Sequence, residues 1–193
     1  AAPVETQAVE AAANQGGTVT LQIQSAESEV RFNIYEELAG SPKDVIGVSD
    51  QVAGQVVYAP ADLSQVQFGV IQVNARTLST DSERRNSAIR NRILNTDQYE
   101  FIRFKPLAVE GLSGALEVGK SYTFTISGEL TIRDITQTVV FEVTALAEAA
   151  ERLSGSAKTV INRADYQLTI PSVPSVANVG EQVTLEIDFV MAP

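Results

Sequence analysis

The sequence predicts an antiparallel all-β protein with a single α-helix, and three observations carry that expectation. The first is the stretch from Tyr122 to Ala145. Tyr122, Phe124, Ile126, Leu130 and Ile132 alternate with Thr123, Thr125, Ser127, Glu129 and Thr131, and after Arg133 and Asp134 the alternation resumes through Val139, Phe141, Val143 and Ala145. Successive strand side chains point to opposite faces, so this is a hairpin with one apolar face. The second observation is that the same period of two recurs along most of the chain. The third is that helical spacing shows in one stretch only, with no strand and helix alternation of the kind that builds parallel sheets and no fixed repeat. A sheet with one apolar face must pack on a second layer or close on itself.

Taken in order, residues 1–17 are rich in Ala, Gln and Glu, end on Gln15, Gly16 and Gly17, and read as a tail or linker. A short helix over Val9 to Ala13 would be marginal in isolation. The tail either packs along its own domain or docks on a neighbouring copy, Val4 to Val9 adding a strand to an exposed edge. Residues 18–193 read as one domain. Val19, Leu21 and Ile23 start the β pattern; Ser25 to Ser28 is a turn; Val30, Phe32 and Ile34 face one way and Glu29, Arg31 and Asn33 the other. Glu36 to Asp44, with Gly40 and Pro42, reads as a loop, and the acidic pair Glu36 and Glu37 as loop charges. Val45 to Tyr58 reads as a long strand or strand pair kinked at Gly47 and Gly54.

Val66, Phe68 and Val70 alternate before the phase slips to Ile71 and Val73, which predicts a bulge or burial of both faces near Val70. Thr80 and Glu83 form a capping box for a helix from about Asp81 to Leu94, with Ala88, Ile89 and Ile93 as its apolar stripe. Phe101 to Leu107 is a strand and Gly111 to Lys120 a turn. After the hairpin, Glu148 to Gly155 is a turn and Ala157 to Asp165 a more polar strand. Pro171 and Pro174 mark a loop ending at Asn178 and Gly180, and Val183, Leu185, Ile187 and Phe189 make the last strand.

Composition narrows function. The chain has 193 residues, 44% of them hydrophobic and 20% charged, enough for one sizeable core. No run of about 18 apolar residues is present, which predicts a soluble protein with no membrane-spanning helix. The formal net charge of -10 opposes binding nucleic acid or an anionic lipid surface through a broad basic patch. Histidine and cysteine are absent. Zinc fingers, His-dependent triads and His-ligated haem are therefore excluded, no metal-ligand set is evident, and no cofactor is expected. The opening Ala1, Ala2, Pro3 and Val4 look like the start of a mature exported protein just past a small-residue cleavage site, placing it in the periplasm or outside the cell.

Four motifs carry a resemblance. They are Ser82 to Ile89 (SERRNSAI) followed by Asp97 to Phe104 (DQYEFIRF), Gly128 to Thr136 (GELTIRDIT), Ile161 to Tyr166 (INRADY) and Val179 to Ile187 (VGEQVTLEI). In this order and at this spacing the chain resembles the YceI-like family of bacterial exported proteins. It departs from the family at Asn86, where an acidic residue is usual, at Arg133 and Asp134 (His and Gly), at Ile93 and Leu94 (aromatics) and at Glu100 (Pro). The resemblance implies a lipocalin-like antiparallel barrel, with eight strands expected, whose apolar tunnel holds a long isoprenoid chain, polyprenyl or quinone-like, as a bound lipid rather than a catalytic cofactor.

The candidate lining residues are Phe32, Ile34, Phe68, Phe104, Phe124, Ile126, Phe141, Val143, Leu185, Ile187 and Phe189. The residues alone favour an ordinary filled core, since every β domain has such a stripe; the resemblance tips the balance towards a tunnel. Arg84, Arg85, Arg90, Arg92 and Arg103 are the one dense basic cluster. They read first as a solvated helix face and second as a headgroup anchor, with Arg85 and Arg103 the candidates, because guanidinium forks suit phosphate. Asn162, Arg163 and Asp165 read as a polar knot bracing a turn, and Gly128 as a strand kink. Three functions are thereby framed. The favoured one is a non-catalytic carrier of an isoprenoid lipid. The second is a structural module with a filled barrel that assembles through its tail or an edge strand, and the third, an enzyme on a lipid-like substrate, lacks a nucleophile with its base.

Overall fold

The structure is a computed structural model that describes residues 1–9 and 17–193. Its strands are β1 (Val19–Ile23), β2 (Glu29–Leu38), β3 (Ser41–Ser49), β4 (Val52–Ala53), β5 (Gln55–Ala59), β6 (Asp62–Phe68), β7 (Ile71–Asn74), β8 (Phe101–Glu110), β9 (Ser121–Ile132), β10 (Ile135–Ala149), β11 (Arg152–Asn162), β12 (Val176–Ala177) and β13 (Gln182–Ala192). All pair antiparallel in one curled sheet, a half-barrel of lipocalin-like character. Thirteen segments stand among the described residues where eight strands were expected, and two of the extra ones arise where Gly54 separates β4 from β5 and Gly69 with Val70 separates β6 from β7. Where a bulge or burial of both faces was expected near Val70, the chain leaves the ladder at Gly69 and Val70 and starts a new strand.

The backbone of the sheet is the run β7, β8, β9, β10, β11, β13. One edge of β13 then serves two partners. Residues Val183 to Asp188 pair with β2, and Met191 and Ala192 pair with β1, so the sheet forks into a β2–β3 branch and a β1–β5–β6 branch. The outer edge of β3 is tied to the main chain beyond β7 at one point, where Val48 and Ser79 exchange both backbone hydrogen bonds at 2.9 and 3.0 Å.

Several expectations are corrected. The loop expected over Glu36 to Asp44 is a hairpin, β2 and β3 joined at Ala39 and Gly40, whose φ values of 51° and 80° suit a two-residue turn. Pro42 misled the sequence reading. It sits on β3, which among the described residues has β2 as its one partner strand, and an edge strand tolerates the missing N–H. Gly47 does not kink its strand: it stays in register with Phe32, and a Cβ there would overlap the Phe32 ring. The turn expected over Glu148 to Gly155 is shorter, since β10 runs to Ala149 and β11 starts at Arg152. The polar strand expected over Ala157 to Asp165 accordingly starts earlier and ends at Asn162.

The helix is also shorter than predicted. α1 covers Glu83–Ala88 and gives way to a π turn, Ile89–Ile93. Its N-cap is Ser82, whose hydroxyl accepts from the Arg85 amide at 3.5 Å, rather than Thr80. Thr80 instead meets the buried Asn86: its amide and its hydroxyl both donate to Asn86 Oδ1, at 2.7 and 2.8 Å. Asn86 Nδ2 donates to Glu83 Oε1 at 3.1 Å, so both polar atoms of this side chain help hold the helix start. An amide supplies the donor that a carboxylate would lack at this position.

The described part of the tail runs beside its own sheet. The Ala2 amide donates to Glu100 Oε1 (2.6 Å), Asn74 Nδ2 donates to the Ala2 carbonyl (2.6 Å), and the Val9 amide donates to Gln55 Oε1 (2.7 Å). It thus travels from the end of β7 to the Gly54 and Gly69 breaks without joining the ladder. Most of the helix considered over Val9 to Ala13 lies outside the described residues.

Candidate functional site

The inward row of each long strand can be followed from one end of the sheet to the other. On β2 it is Val30, Phe32, Ile34 and then Glu36, a carboxylate where an apolar residue would continue the pattern. On β13 it is Val183, Leu185, Ile187 and Phe189, in register with β2 from Val183 opposite Ile34 to Ile187 opposite Val30. The far wall comes from Ile102 and Phe104 on β8, Leu130 and Ile132 on β9 and Phe141 on β10, and the cap from Ile89 and Ile93. These surfaces do not meet. They enclose a cavity of about 240 Å³ with an almost wholly apolar lining.

Glu36 is 6% exposed and belongs to an ion pair that closes the polar end of this cavity. Arg85 Nη2 donates to Glu36 Oε1 at 2.7 Å, and Arg85 Nη1 donates to Asp81 Oδ1 at 2.5 Å. Lys43 reaches the other oxygen of Asp81 at 2.5 Å and is the main reason that the Asp81 carboxyl is held below the usual range, with Arg85 adding to it. Arg163 borders the same end but is committed elsewhere: Nε donates to the Gly180 carbonyl (2.9 Å), Nη1 to the Leu168 carbonyl (3.2 Å), and Nη2 to Glu181. The polar knot expected at Asn162, Arg163 and Asp165 is therefore a brace for the following loop, and Arg163 also touches the cavity. Tyr166, just beyond it, is buried with no hydrogen-bond partner for its hydroxyl among the described residues, and burial pushes that hydroxyl up to about 12.

A second, smaller cavity of about 40 Å³ lies at the opposite end, among Val56, Tyr58, Leu63, Phe68, Phe124 and Leu153. The Gly111 to Lys120 turn folds over it and contributes Leu112 and Leu116, held by Leu63 N to Gly114 O (2.7 Å) and Leu116 N to Pro60 O (2.7 Å). This end is packed. Leu21, Val52, Val56 and Tyr58 are all essentially inaccessible, and the Tyr58 hydroxyl donates to the Ala150 carbonyl at 2.8 Å.

Placed on this frame, Phe32, Ile34, Phe104, Phe141, Leu185, Ile187 and Arg85 border the larger cavity, and Phe68 and Phe124 the smaller one. Ile126, Val143 and Phe189 border neither; Ile126 and Val143 lie on their strands between residues that do, and Phe189 follows Ile187 on β13. Arg103 is on the outer face, because Ile102 and Phe104 take the inward positions of β8; its Nε donates to Gln72 Oε1 at 3.3 Å, and its guanidinium stands 5.4 Å from the Phe101 ring centre. Gly128 is not simply a kink: a Cβ there would strike the Lys105 carbonyl and the Phe104 ring, so the missing side chain lets Phe104 lie flat on β9. Sequence reasoning missed Glu36. Continuing the Val30, Phe32, Ile34 phase by one more step finds it, once the supposed loop is recognised as strand. It also missed Leu130, Ile132 and Ile161, which the same phase rule supplies from the hairpin and from β11.

A curled antiparallel sheet around an apolar cavity, with a short helix over one end, defines a lipocalin-like architecture. Within it the chain belongs to the YceI-like domain family, which matches residues 21–191. Among curated proteins none matches the sequence. Solved structures agree on the fold. A polyisoprenoid-binding domain from Saccharophagus degradans, implicated in plant cell wall breakdown, superposes with a TM-score of 0.69 at 14% identity, covering 90% of this chain and 98% of that one. BcnA from Burkholderia cenocepacia gives 0.65 at 18% identity, covering 87% and 98%. The Campylobacter jejuni YceI protein gives 0.57 at 14% identity, covering 74% and 81%.

Proposed function

We propose that the chain is a non-catalytic carrier of an isoprenoid lipid, with the prenyl chain in the larger cavity and the head at the Glu36–Arg85 end. The observation that carries this reading is the cavity itself, about 240 Å³ of apolar-lined space in a fold that could have filled it with side chains. An apolar cavity of about 150 Å³ already admits a benzene-sized guest. Each methylene brought out of water is worth about 0.8 kcal/mol, so affinity needs no reacting group. Membership of the YceI-like family and the polyisoprenoid-binding neighbour support the choice of lipid class.

The polar end favours an uncharged head, a quinone ring or an alcohol, over a diphosphate. Both outer nitrogens of Arg85 already hold carboxylates, and the Glu36 carboxylate would face an incoming phosphate. Export to the periplasm or the outside of the cell belongs to the same proposal, as the resemblance to the YceI-like family of exported proteins implies. Organic extraction of the purified protein followed by mass spectrometry tests the function. A prenyl lipid in the extract is the expected result. A clean extract, together with failure of added farnesol or a short-chain quinone to bind, would remove it in favour of a filled structural module.

A further inference from the structure

The two cavities lie in line, and what separates them is one layer of side chains. Along β9 the inward row passes from Ile132 and Leu130 beside the larger cavity, through Ile126, to Phe124 and Tyr122 beside the smaller. Along β10 it passes from Phe141 through Val143 to Ala145, and along β13 from Leu185 and Ile187 to Phe189. Phe189 stands opposite Gly155 on β11, where a Cβ would come within 2.9 Å of its ring, so the ring lies over the bare backbone of the neighbouring strand. On the remaining side Phe68 stacks on Phe124, ring centres 6.1 Å apart and planes 26° from parallel. The polar end, with Glu36 and Arg85, is the end farthest from this layer, and Asp81, which pairs with Arg85 there, is exposed.

We propose that the layer of Phe68, Phe124, Ile126, Val143 and Phe189 is a chain-length stop, which makes this protein selective for a short prenyl chain. This rests on the lipid reading above. A chain entering beside Glu36 gains apolar contact with each methylene until it meets the stacked rings. From Leu130 to Phe124 is six residues of β9, about 20 Å of strand. Carbon beyond the layer must either displace close-packed rings or remain in water, and neither adds favourable contact. Affinity therefore rises with chain length while the first cavity fills and then stops rising.

The test is native mass spectrometry of the whole chain offered an equimolar mixture of geraniol, farnesol, geranylgeraniol and solanesol. The unaltered protein is expected to retain the shorter alcohols, with solanesol at least about tenfold less occupied. Phe124→Ala thins the layer from the side of the smaller cavity and is expected to shift the preference about tenfold towards the longer chains. Phe124→Leu and Phe189→Leu keep the core filled enough to fold and should shift it in the same direction by less. Equal retention of solanesol and farnesol by the unaltered protein overturns the stop while leaving the carrier function standing. So does a length profile that is the same in all the folded variants. Retention of no alcohol by any of them overturns the lipid reading and the stop with it.

Discussion

The two ends of this half-barrel are built from the same strands with the same alternation, yet one is empty and the other full. At the full end Tyr58, Leu21, Val52 and Val56 close the interior, and the Gly111 to Lys120 turn adds Leu112 and Leu116 from outside the sheet. At the empty end the cover is α1 and its π turn, which contribute Ile89 and Ile93 but also Arg85, whose charge must reach Glu36 and Asp81 rather than the middle of the cavity. Strand patterning decides which face is apolar. The covering segments decide whether the space behind that face is filled.

The comparison can be broken most forcefully at the full end. Tyr58→Ala removes a buried ring and its hydrogen bond to Ala150, and should cost about 4 kcal/mol in denaturant unfolding, whereas Leu185→Ala in the half-buried cavity wall should cost clearly less. A smaller loss follows at the polar end. Arg85→Ala strands the Glu36 carboxylate and should cost about 3 kcal/mol, while Arg85→Met combined with Glu36→Leu should return close to the parent stability.

The two buried tyrosines sharpen the contrast. Tyr58 has a carbonyl partner and Tyr166 has none among the described residues, so Tyr166→Phe should be neutral or stabilising by up to about 1 kcal/mol. Both hydroxyls have raised pKa values, burial first among the causes and a nearby carboxylate second, with Tyr166 at about 12. A raised folded value means the neutral form is the one the fold favours. That contribution is complete below the unfolded tyrosine value near 10 and is lost as pH climbs from there towards 12. Stability curves across that window should flatten in Tyr166→Phe.

Filling the empty end is expected to change binding more than stability. Ile34→Trp places a larger ring in existing space, so its melting free energy should stay within about 1 kcal/mol of the parent while uptake of farnesol is lost. Retained uptake would show that the guest sits elsewhere. The smallest effect belongs to Arg103→Gln on the outer face, within about 0.5 kcal/mol and without change in ligand binding.

The sheet was legible from the sequence because side-chain alternation is a local signal, and β9 and β10 pair residue for residue as the pattern from Tyr122 to Ala145 implied. The hairpin at Ala39 and Gly40 was not, because Gly and Pro carry the same local signal in a loop and on an edge strand. What distinguishes them is the absence of a neighbour, a tertiary fact. Glu36 was lost with it, although its phase matches Ile34. The π turn after Ala88 has no sequence marker that the capping-box pattern would not equally extend into a longer helix. Phe124 and Phe32 have identical patterning on their strands, and one stacks in a closed layer while the other faces open volume. That difference comes from what lies across the interior, Phe68 in one case and a gap in the other.

The backbone tie between Val48 and Ser79 sets a clock as well as a boundary. On the outer edge of β3 this reciprocal pair supplies the backbone hydrogen bonds, whereas β9 and β10 share an uninterrupted ladder from Ile132 with Ile135 to Ser121 with Leu146. Local opening proceeds where the fewest bonds must break together. The amide protons of Val48 and Ser79 should then exchange with heavy water well ahead of those in the β9–β10 ladder. Since Val45 of β3 lines the larger cavity, opening of this edge loosens that wall before the β9–β10 ladder moves.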